Sequence, residues 1–367
     1  MRVLVVGASC RAVAQSAARA GHAVCALDAF GDADLLEVAA WHPRHKGEPL
    51  AAIPLCRDAD VAVFASGVEN RPEVVEELRA MGVRPLAPSP QTLRACRDVE
   101  TLMRVCAEND IPFPCTRRDA PSPTDGPYLV KKKRGGAGIG VRDWDGSATA
   151  DADAYYQEKI GGTPFSAAFL ADGTRAVVAG ISRQFAGEAF LGAGGYAWCG
   201  NLMPYPVPLG KRDAFAAEIR RIADALTGAF GLLGANSADF VQRNDTIYLL
   251  EINPRISASF ELVETMSGQN AFTLHADACD GRLPAEGKGL LDPPYRAKGI
   301  VYAPRELTAP DTRGWAARGR RDIPLPDAPL PEGAPLCTVI TPPFGTESEA
   351  IAYLAAEAHK IWGECGM

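Results

Sequence analysis

Two stretches of the 367-residue sequence hold side chains whose types and spacing suit a polyphosphate. In the first, Tyr128-Leu-Val runs into Lys131 and then into Gly135, Gly136, Gly138 and Gly140 before Val141. An apolar strand would thus deliver a lysine to a pliable glycine loop, whose N–H groups approach phosphate oxygens closely while the ammonium supplies charge. Lys131 precedes the glycines and no Gly-Lys-Ser/Thr follows, so this is not a Walker A loop, and a glycine-rich hairpin is also an ordinary structural element. In the second stretch, Asn236-Ser-Ala-Asp239-Phe-Val is followed, after a few turn residues, by Ile247-Tyr-Leu-Leu-Glu251-Ile-Asn253-Pro-Arg255. If these are paired strands, Asp239 lies near Glu251, and Glu251 and Asn253, two apart, share a face. One or two carboxylates, an amide oxygen and phosphate oxygens are the set that magnesium prefers. Glu251 buried and unpaired in an apolar strand would cost roughly several kcal/mol, so a bound cation gives a reason for its presence.

The surrounding pattern predicts the elements that must carry these groups. Val3–Val6 reads as a strand, Gly7-Ala8-Ser9 as a turn, and Ala12 to Ala20, closed by Gly21, as a helix. Val24–Leu27 and Val61–Ala65 follow as strands, then a helix from Pro72 to Gly82 and a short strand at Pro85–Ala87. This alternation predicts an open, Rossmann-like α/β domain. Its first turn lacks the later glycines of a dinucleotide fingerprint, although Asp28 stands about 20 residues on, where a ribose ligand would sit. Ser9, Arg11 and Glu69, in turns at the carboxyl edge of that sheet, are candidates to touch substrate, against ordinary turn chemistry. A helix is expected from Asp98 to Asn109, an α+β nucleotide-binding region from about Cys115 to Cys279, a strand over Leu336–Ile340 and a helix over Glu347–Trp362. The expected division is 1–92, 93–160, 161–294 and 295–367, the last a segment closing the cleft.

Length calls for more than one packed unit, and 47% hydrophobic with 23% charged residues is ordinary globular composition. A net charge of −7 offers no general attraction for nucleic acid or an anionic membrane, which points to small-molecule partners. No signal-peptide pattern and no long apolar run occurs, so the expected location is the cytoplasm. The ten cysteines form no Cys-x-x-Cys pair and read as buried free thiols. His42 and His45, around Pro43, read as a surface loop.

Lys131-Lys-Lys-Arg-Gly-Gly-Ala-Gly-Ile-Gly140, Gln157-Glu-Lys-Ile-Gly-Gly162, and Asp239 with Leu250-Glu-Ile-Asn-Pro-Arg255 together resemble the ATP-grasp superfamily over essentially the whole chain. The resemblance implies ATP and Mg2+ as cofactors. Lys131 would contact the phosphates, with Gly135, Gly136 and Gly138 in a lid above them. Gln157, Glu158 and Ile160 would form the hinge, with main-chain atoms of Glu158 and Ile160 reading the adenine. Asp239, Glu251 and Asn253 would hold magnesium, and Arg255 would stabilise charge on the transferring phosphate or acyl phosphate. The chain departs from the family pattern at Val99, where a phosphate-binding lysine is usual, at Pro164, where a ribose-binding glutamate is usual, and at Asp110, usually glycine. Lys132, Lys133, Arg134 and Arg97 are the cations that could compensate for the first.

The family mechanism activates a carboxylate as an acyl phosphate and lets an amine displace phosphate. Gln184-Phe185, Trp198-Cys-Gly-Asn201, Arg321-Asp-Ile-Pro324 and Pro335-Leu-Cys-Thr-Val339 are further similar to ligases of methanofuran-type or tetrahydromethanopterin-type cofactor synthesis, which attach glutamate or a similar amino acid to an amine such as tyramine. Many such relatives dimerise, so a homodimer is among the implied assemblies. A regulatory nucleotide-binding protein would need no metal-holding triad, and an NAD-dependent oxidoreductase would need a better first turn than Gly7-Ala8-Ser9.

Overall fold

In the computed structural model, which describes residues 1–43, 57–122, 124–147, 149, 151–287 and 289–366, the N-terminal alternation forms a five-stranded parallel sheet of order β3-β2-β1-β4-β5. Its elements are β1 (Arg2–Val6), α1 (Arg11–Arg19), β2 (Ala23–Asp28), α2 (Ala33–Leu36), β3 (Ala39–Pro43), β4 (Val61–Phe64), α3 (Glu73–Ala80) and β5 (Arg84–Leu86). Val3 to Val6 are wholly buried, as a parallel strand covered on both faces requires. Gly7 is needed where β1 ends, because a Cβ there would come 2.5 Å from the Cβ of Ala65. His42, expected in a loop, belongs instead to β3, whose pairing Leu27↔His42 makes it an edge strand; terminal Pro43 is tolerated there because an edge needs no further donor. His45 lies outside the described residues.

Two capped helices lead away from this sheet. Ser89 accepts from the Thr92 amide at 3.0 Å to start α4 (Pro90–Arg97), and Asp98 accepts from the Thr101 amide to start α5 (Val99–Glu108). Asp110 then adopts φ +53°, which explains why glycine is usual there and why aspartate, tolerant of that region, replaces it. A small antiparallel sheet of order β6-β9-β7-β8 follows, from β6 (Thr116–Arg117), β7 (Tyr128–Lys132), β8 (Arg142–Asp143) and β9 (Ala154–Glu158).

The rest of the chain builds one eight-stranded antiparallel sheet. Its order of appearance is β10 (Thr163–Asp172), β11 (Ala176–Ala186), β12 (Trp198–Met203), α6 (Arg212–Phe230), β13 (Leu233–Arg243), β14 (Thr246–Asn253), α7 (Phe260–Ser267), α8 (Ala271–Cys279), β15 (Arg296–Tyr302), β16 (Leu307–Thr308), β17 (Arg320–Arg321), β18 (Pro329–Leu330), β19 (Pro335–Ile340) and α9 (Glu347–Glu364). The sheet runs β14-β13-β10-β11-β12-β15-β19-β17, while β16 and β18 pair apart. Residues 295–367 thus add three strands to the same sheet that carries Asp239 and Glu251.

One face of this sheet meets α6, where Ile219, Ile222 and Leu226 are fully buried and Phe165 stacks on Phe240 at 5.0 Å between ring centroids. Burial of each such side chain stabilises by about 1.5–3 kcal/mol. The opposite face meets α7 and α8, and Phe260, Leu262 and Phe272 there share a core with Ala14, Ala17 and Leu35 of the N-terminal unit. Polar bonds reinforce this seam: Asn270 donates to the Ser16 carbonyl at 2.8 Å, and the Phe272 amide donates to Ser16 Oγ at 3.0 Å. Among the described residues, no helix is long and apolar enough to cross a membrane.

His275 pins the seam. Its Nδ1 accepts from the Ala235 amide of β13 at 2.9 Å, and its Nε2 lies 2.9 Å from the Leu86 carbonyl of β5, so the neutral ring with hydrogen on Nε2 satisfies both. Burial pushes its pKa down to about 4 from 6.5. Between these values the unfolded chain takes up a proton that the folded chain refuses, so this contribution is intact above pH 6.5 and falls as pH drops toward 4, by about 3 kcal/mol in all. Denaturant titrations across that window are expected to show this loss in the parent protein and a flatter profile in His275→Gln; equal slopes would refute the assignment.

Candidate active site

The acidic residues are positioned by local register. β13 and β14 pair Asp239 with Glu251 and Ser237 with Asn253, with a bulge between Asp239 and Phe240. Asn253 Nδ2 donates to Asp239 Oδ2 at 3.1 Å and to Glu251 Oε1 at 3.3 Å, so the three expected metal-holding side chains stand together. Burial, with Glu251 alongside, pushes the Asp239 carboxyl up to about 7. Burial also acts upward on Glu251, but Arg97 and Lys131 outweigh it and hold that carboxylate below its ordinary range. The pair resists carrying two charges: Asp239 and Glu251 share a hydrogen bond between their carboxyls, and the Asn253 amide bridges them from the side. This donor set fits magnesium, which Asp239, Glu251 and the Asn253 amide oxygen would hold, and which would supply positive charge to offset that of a polyphosphate.

Lys131 faces the same space. It is carried by β7, donates to Gln157 Oε1 at 3.1 Å and stands 5.9 Å from the centre of the Tyr155 ring. Burial acts to lower its pKa, but Tyr155, Glu251 and Asp239 more than compensate, so the ammonium is retained. Gln157, 1% exposed, is itself held by its bond to Thr116 Oγ1 at 3.1 Å. The Glu158 amide is taken by the Cys115 carbonyl at 2.8 Å, so contact with an adenine edge through Glu158 would fall to its carbonyl. Ile160 lines the same cavity.

The glycine loop folds over this space. Ala137 accepts from the Trp198 amide at 3.0 Å, and Asn70 Nδ2 donates to the Gly135 carbonyl at 3.4 Å. Gly138, at φ +71°, passes so close to the Tyr196 carbonyl that a Cβ would sit 1.7 Å from its oxygen. Gly135, Gly136 and Gly138 therefore roof a cavity of about 910 Å3 whose walls include Lys131, Asp239, Glu251, Asn253 and Arg255.

Arg255 and Arg97 share one carboxylate. Arg255 Nε lies 2.9 Å and Arg97 Nη2 3.0 Å from Glu69 Oε1, and Arg97 also lies 3.5 Å from Asn253 Oδ1 and 3.9 Å from Glu251. Glu69, expected against substrate, is 3% exposed and turned under these guanidinium groups by the 3-10 turn Val68–Asn70, so it orients the arginines. Burial acts upward on its pKa, but Arg255 and Arg97 prevail and keep it ionised. Two arginines on one carboxylate leave a net positive charge at the cavity wall, suited to a phosphate. Of the four cations considered for the lysine missing at Val99, Arg97 is the one set on the metal-holding side chains, while Lys132 is paired with Asp151 at 3.0 Å. Val99, though buried, and Pro164 both line the cavity.

Ser9 and Arg11 lie at the other end of the cavity. Arg11 is 1% exposed: its Nε and Nη2 each bond Asp322 at 2.9 Å, Nη2 also meets Glu261 at 3.0 Å, and Nη1 contacts Glu261. The guanidinium is therefore saturated by protein carboxylates, and Ser9 Oγ lies 3.5 Å from the same Asp322. Sequence reasoning missed Glu261 and Lys298, whose 2.6 Å ion pair completes this cluster. Nothing in their spacing pointed to it, because Glu261 stands 250 residues from Arg11 and 37 from Lys298 in the chain.

Comparison with known proteins agrees with this geometry. Residues 96–259 match the model of the ATP-grasp domain. The chain is 35% identical over 80 residues to the carbamoyl phosphate synthase large chain of Haemophilus ducreyi, an alignment spanning 21% of this chain and only 7% of that one. It is 26% identical over 356 residues to the formate-dependent phosphoribosylglycinamide formyltransferase of Nitratidesulfovibrio vulgaris, covering 86% and 84% of the two. The fold is similar to that of an L-amino acid ligase from Bacillus licheniformis, with TM-score 0.68, 16% identity, and 98% and 97% of the chains covered. Residues 96–259 therefore carry an ATP-grasp domain, set within a chain whose overall fold is similar to that of solved ATP-grasp-fold ligases.

Gly138→Ala is expected to push the loop off the Tyr196 carbonyl and lower turnover about 100-fold, since small misplacements at a reacting centre have effects of that size. Gly136→Ala, with nothing within 4 Å of the added Cβ, should have a much smaller effect. Steady-state ADP release by the two variants, with melting temperatures to confirm folding, measures the difference.

Proposed function

We propose that this protein joins a carboxylate to an amine through an acyl phosphate, releasing ADP and phosphate. A carboxylate oxygen attacks the γ-phosphorus of ATP and ADP leaves; the amine nitrogen then attacks the acyl carbon, phosphate leaves with the bonding pair, and the amine gives up a proton. Phosphoryl transfer needs positioning and charge neutralisation more than covalent help from protein. Lys131 would neutralise the polyphosphate, Arg97 and Arg255 would stabilise the charge on the transferring group, and the glycine loop would exclude water. The observation that carries this reading is the meeting of Lys131, Arg97, Arg255 and the Asp239–Glu251–Asn253 set on one roofed cavity.

The finer reading is that the carboxylate belongs to glutamate or a similar amino acid, the acceptor is an amine of the tyramine kind, and the product serves one-carbon cofactor synthesis in the cytoplasm. Its support is where the four corresponding segments lie. Gln184, Trp198, Asn201, Asp322, Pro335 and Cys337 all line the cavity, on strands or loops far apart in sequence. Asn201 is oriented there by bonds to Ser182 Oγ at 2.9 Å and from Trp198 Nε1 at 3.2 Å.

A screen of amino acids and amines with ATP and magnesium is expected to give ADP, rather than AMP, only when both substrates are present. Glu251→Ala should reduce that release by roughly 1000-fold or more while circular dichroism and melting temperature remain those of a folded protein. Undiminished turnover in Glu251→Ala would defeat the site, and AMP as product would defeat the mechanism.

A further inference from the structure

Around Arg11 the cavity wall carries more negative than positive charge. Asp32, Glu261 and Asp322 line it, with Asp28 and Asp34 close behind, and among the described residues the cations that interact with them are Arg11 and Lys298. Most of these carboxylates are occupied. Asp28 accepts from the amides of Cys10, Phe30 and Gly31 at 2.7, 2.8 and 2.8 Å. Asp34 accepts from the amides of Asp322 and Ile323 at 3.1 and 3.0 Å. Glu261 and Asp322 hold Arg11, and Glu261 also holds Lys298.

Asp32 differs. It stands at the N-cap position of α2 without capping it, is 8% exposed and lines the cavity. Its Oδ2 has no hydrogen-bond partner among the described residues. A buried acceptor left unmade costs about 1–3 kcal/mol, more when charged. Burial, with Asp322, Asp28 and Asp34 alongside, raises its pKa to about 9. Half-exposed Phe30 lines the same wall.

We infer that Asp32 is the counter-ion of a protonated amine, and that this end of the cavity admits the ammonium-bearing substrate with its apolar body against Phe30. An ammonium suits the site better than a divalent metal. A metal seeks six or more oxygens, whereas the neighbouring carboxylates are already bound to backbone amides or to Arg11. One carboxylate and an aromatic wall suffice for an organic cation. The inference rests on the ligase reading, which requires an amine, and it assigns that amine's side of the cavity.

The probe is 2-phenylethylamine, with 2-phenylethanol as its uncharged counterpart, titrated calorimetrically into the full-length protein without nucleotide. The amine is expected to bind saturably at concentrations below about 10 mM and at least roughly tenfold tighter than the alcohol. Asp32→Asn, which keeps the side-chain shape and removes the charge, should erase that preference while MgATP still binds. Equal affinity for amine and alcohol in the parent protein, or an amine preference that survives in Asp32→Asn, overturns the assignment. ADP release that depends on an amine yet shows the same amine KM in Asp32→Asn overturns the assignment and leaves the ligase reading standing. Asp32-dependent amine binding without any ADP release would instead defeat the ligase reading and leave the amine site.

Discussion

Two carboxylates held opposite one another across a strand pair set the terms for the rest of the molecule. Asp239 and Glu251 are partners in register, so the β13–β14 ladder keeps their carboxyl groups side by side. Two like charges about 4 Å apart at an effective dielectric near 20 oppose each other by about 4 kcal/mol. The surroundings answer in layers: an amide donor from Asn253 between them, Lys131 across the cavity, and Arg97 behind. These groups stabilise Glu251 as an anion and still leave Asp239 short of a positive charge, a shortage that a cation arriving with a polyphosphate would remove.

The same arrangement links fold to motion. Lys131 comes from the small sheet and the acidic pair from the large one, so the cavity lies between two sheets linked by Gln157 and the chain that follows it into β10. The roof is fastened by few bonds, from Asn70 and Trp198, and exposes Ile139 to solvent. A segment with so few buried contacts opens at low energetic cost, as nucleotide entry and exit require.

Legibility in the sequence followed contact distance. The Asp239–Glu251–Asn253 set was visible because a hairpin register is local and strand alternation fixes which side chains share a face. β1, α1, β2, β4, α3 and β5 were visible for the same reason, their apolar spacing matching one period or another. Glu69 was misjudged because its place in the chain, a turn at a sheet edge, says nothing of the two arginines that arrive from residues 97 and 255. His42 was misjudged because Pro43 signals a break, and an edge strand tolerates one. The addition of β15, β19 and β17 to the large sheet, and the meeting of Arg11 with Glu261 and Asp322, are products of long-range topology that no local pattern encodes.

The Arg11 cluster also limits how freely parts of this enzyme could be exchanged. Its members come from α1, α7, β15 and the loop after β17, and the recognisable ATP-grasp stretch ends at residue 259, just short of Glu261. A fragment cut at that boundary would keep the phosphate-handling side chains and lose the acidic wall at the far end of the cavity. Removing one side of such a buried ion-pair network strands the charges on the other, at about 3–5 kcal/mol for a single pair. Shuffling of modules between relatives would therefore have to carry the first helix and the terminal strands together, or replace all of the paired charges at once.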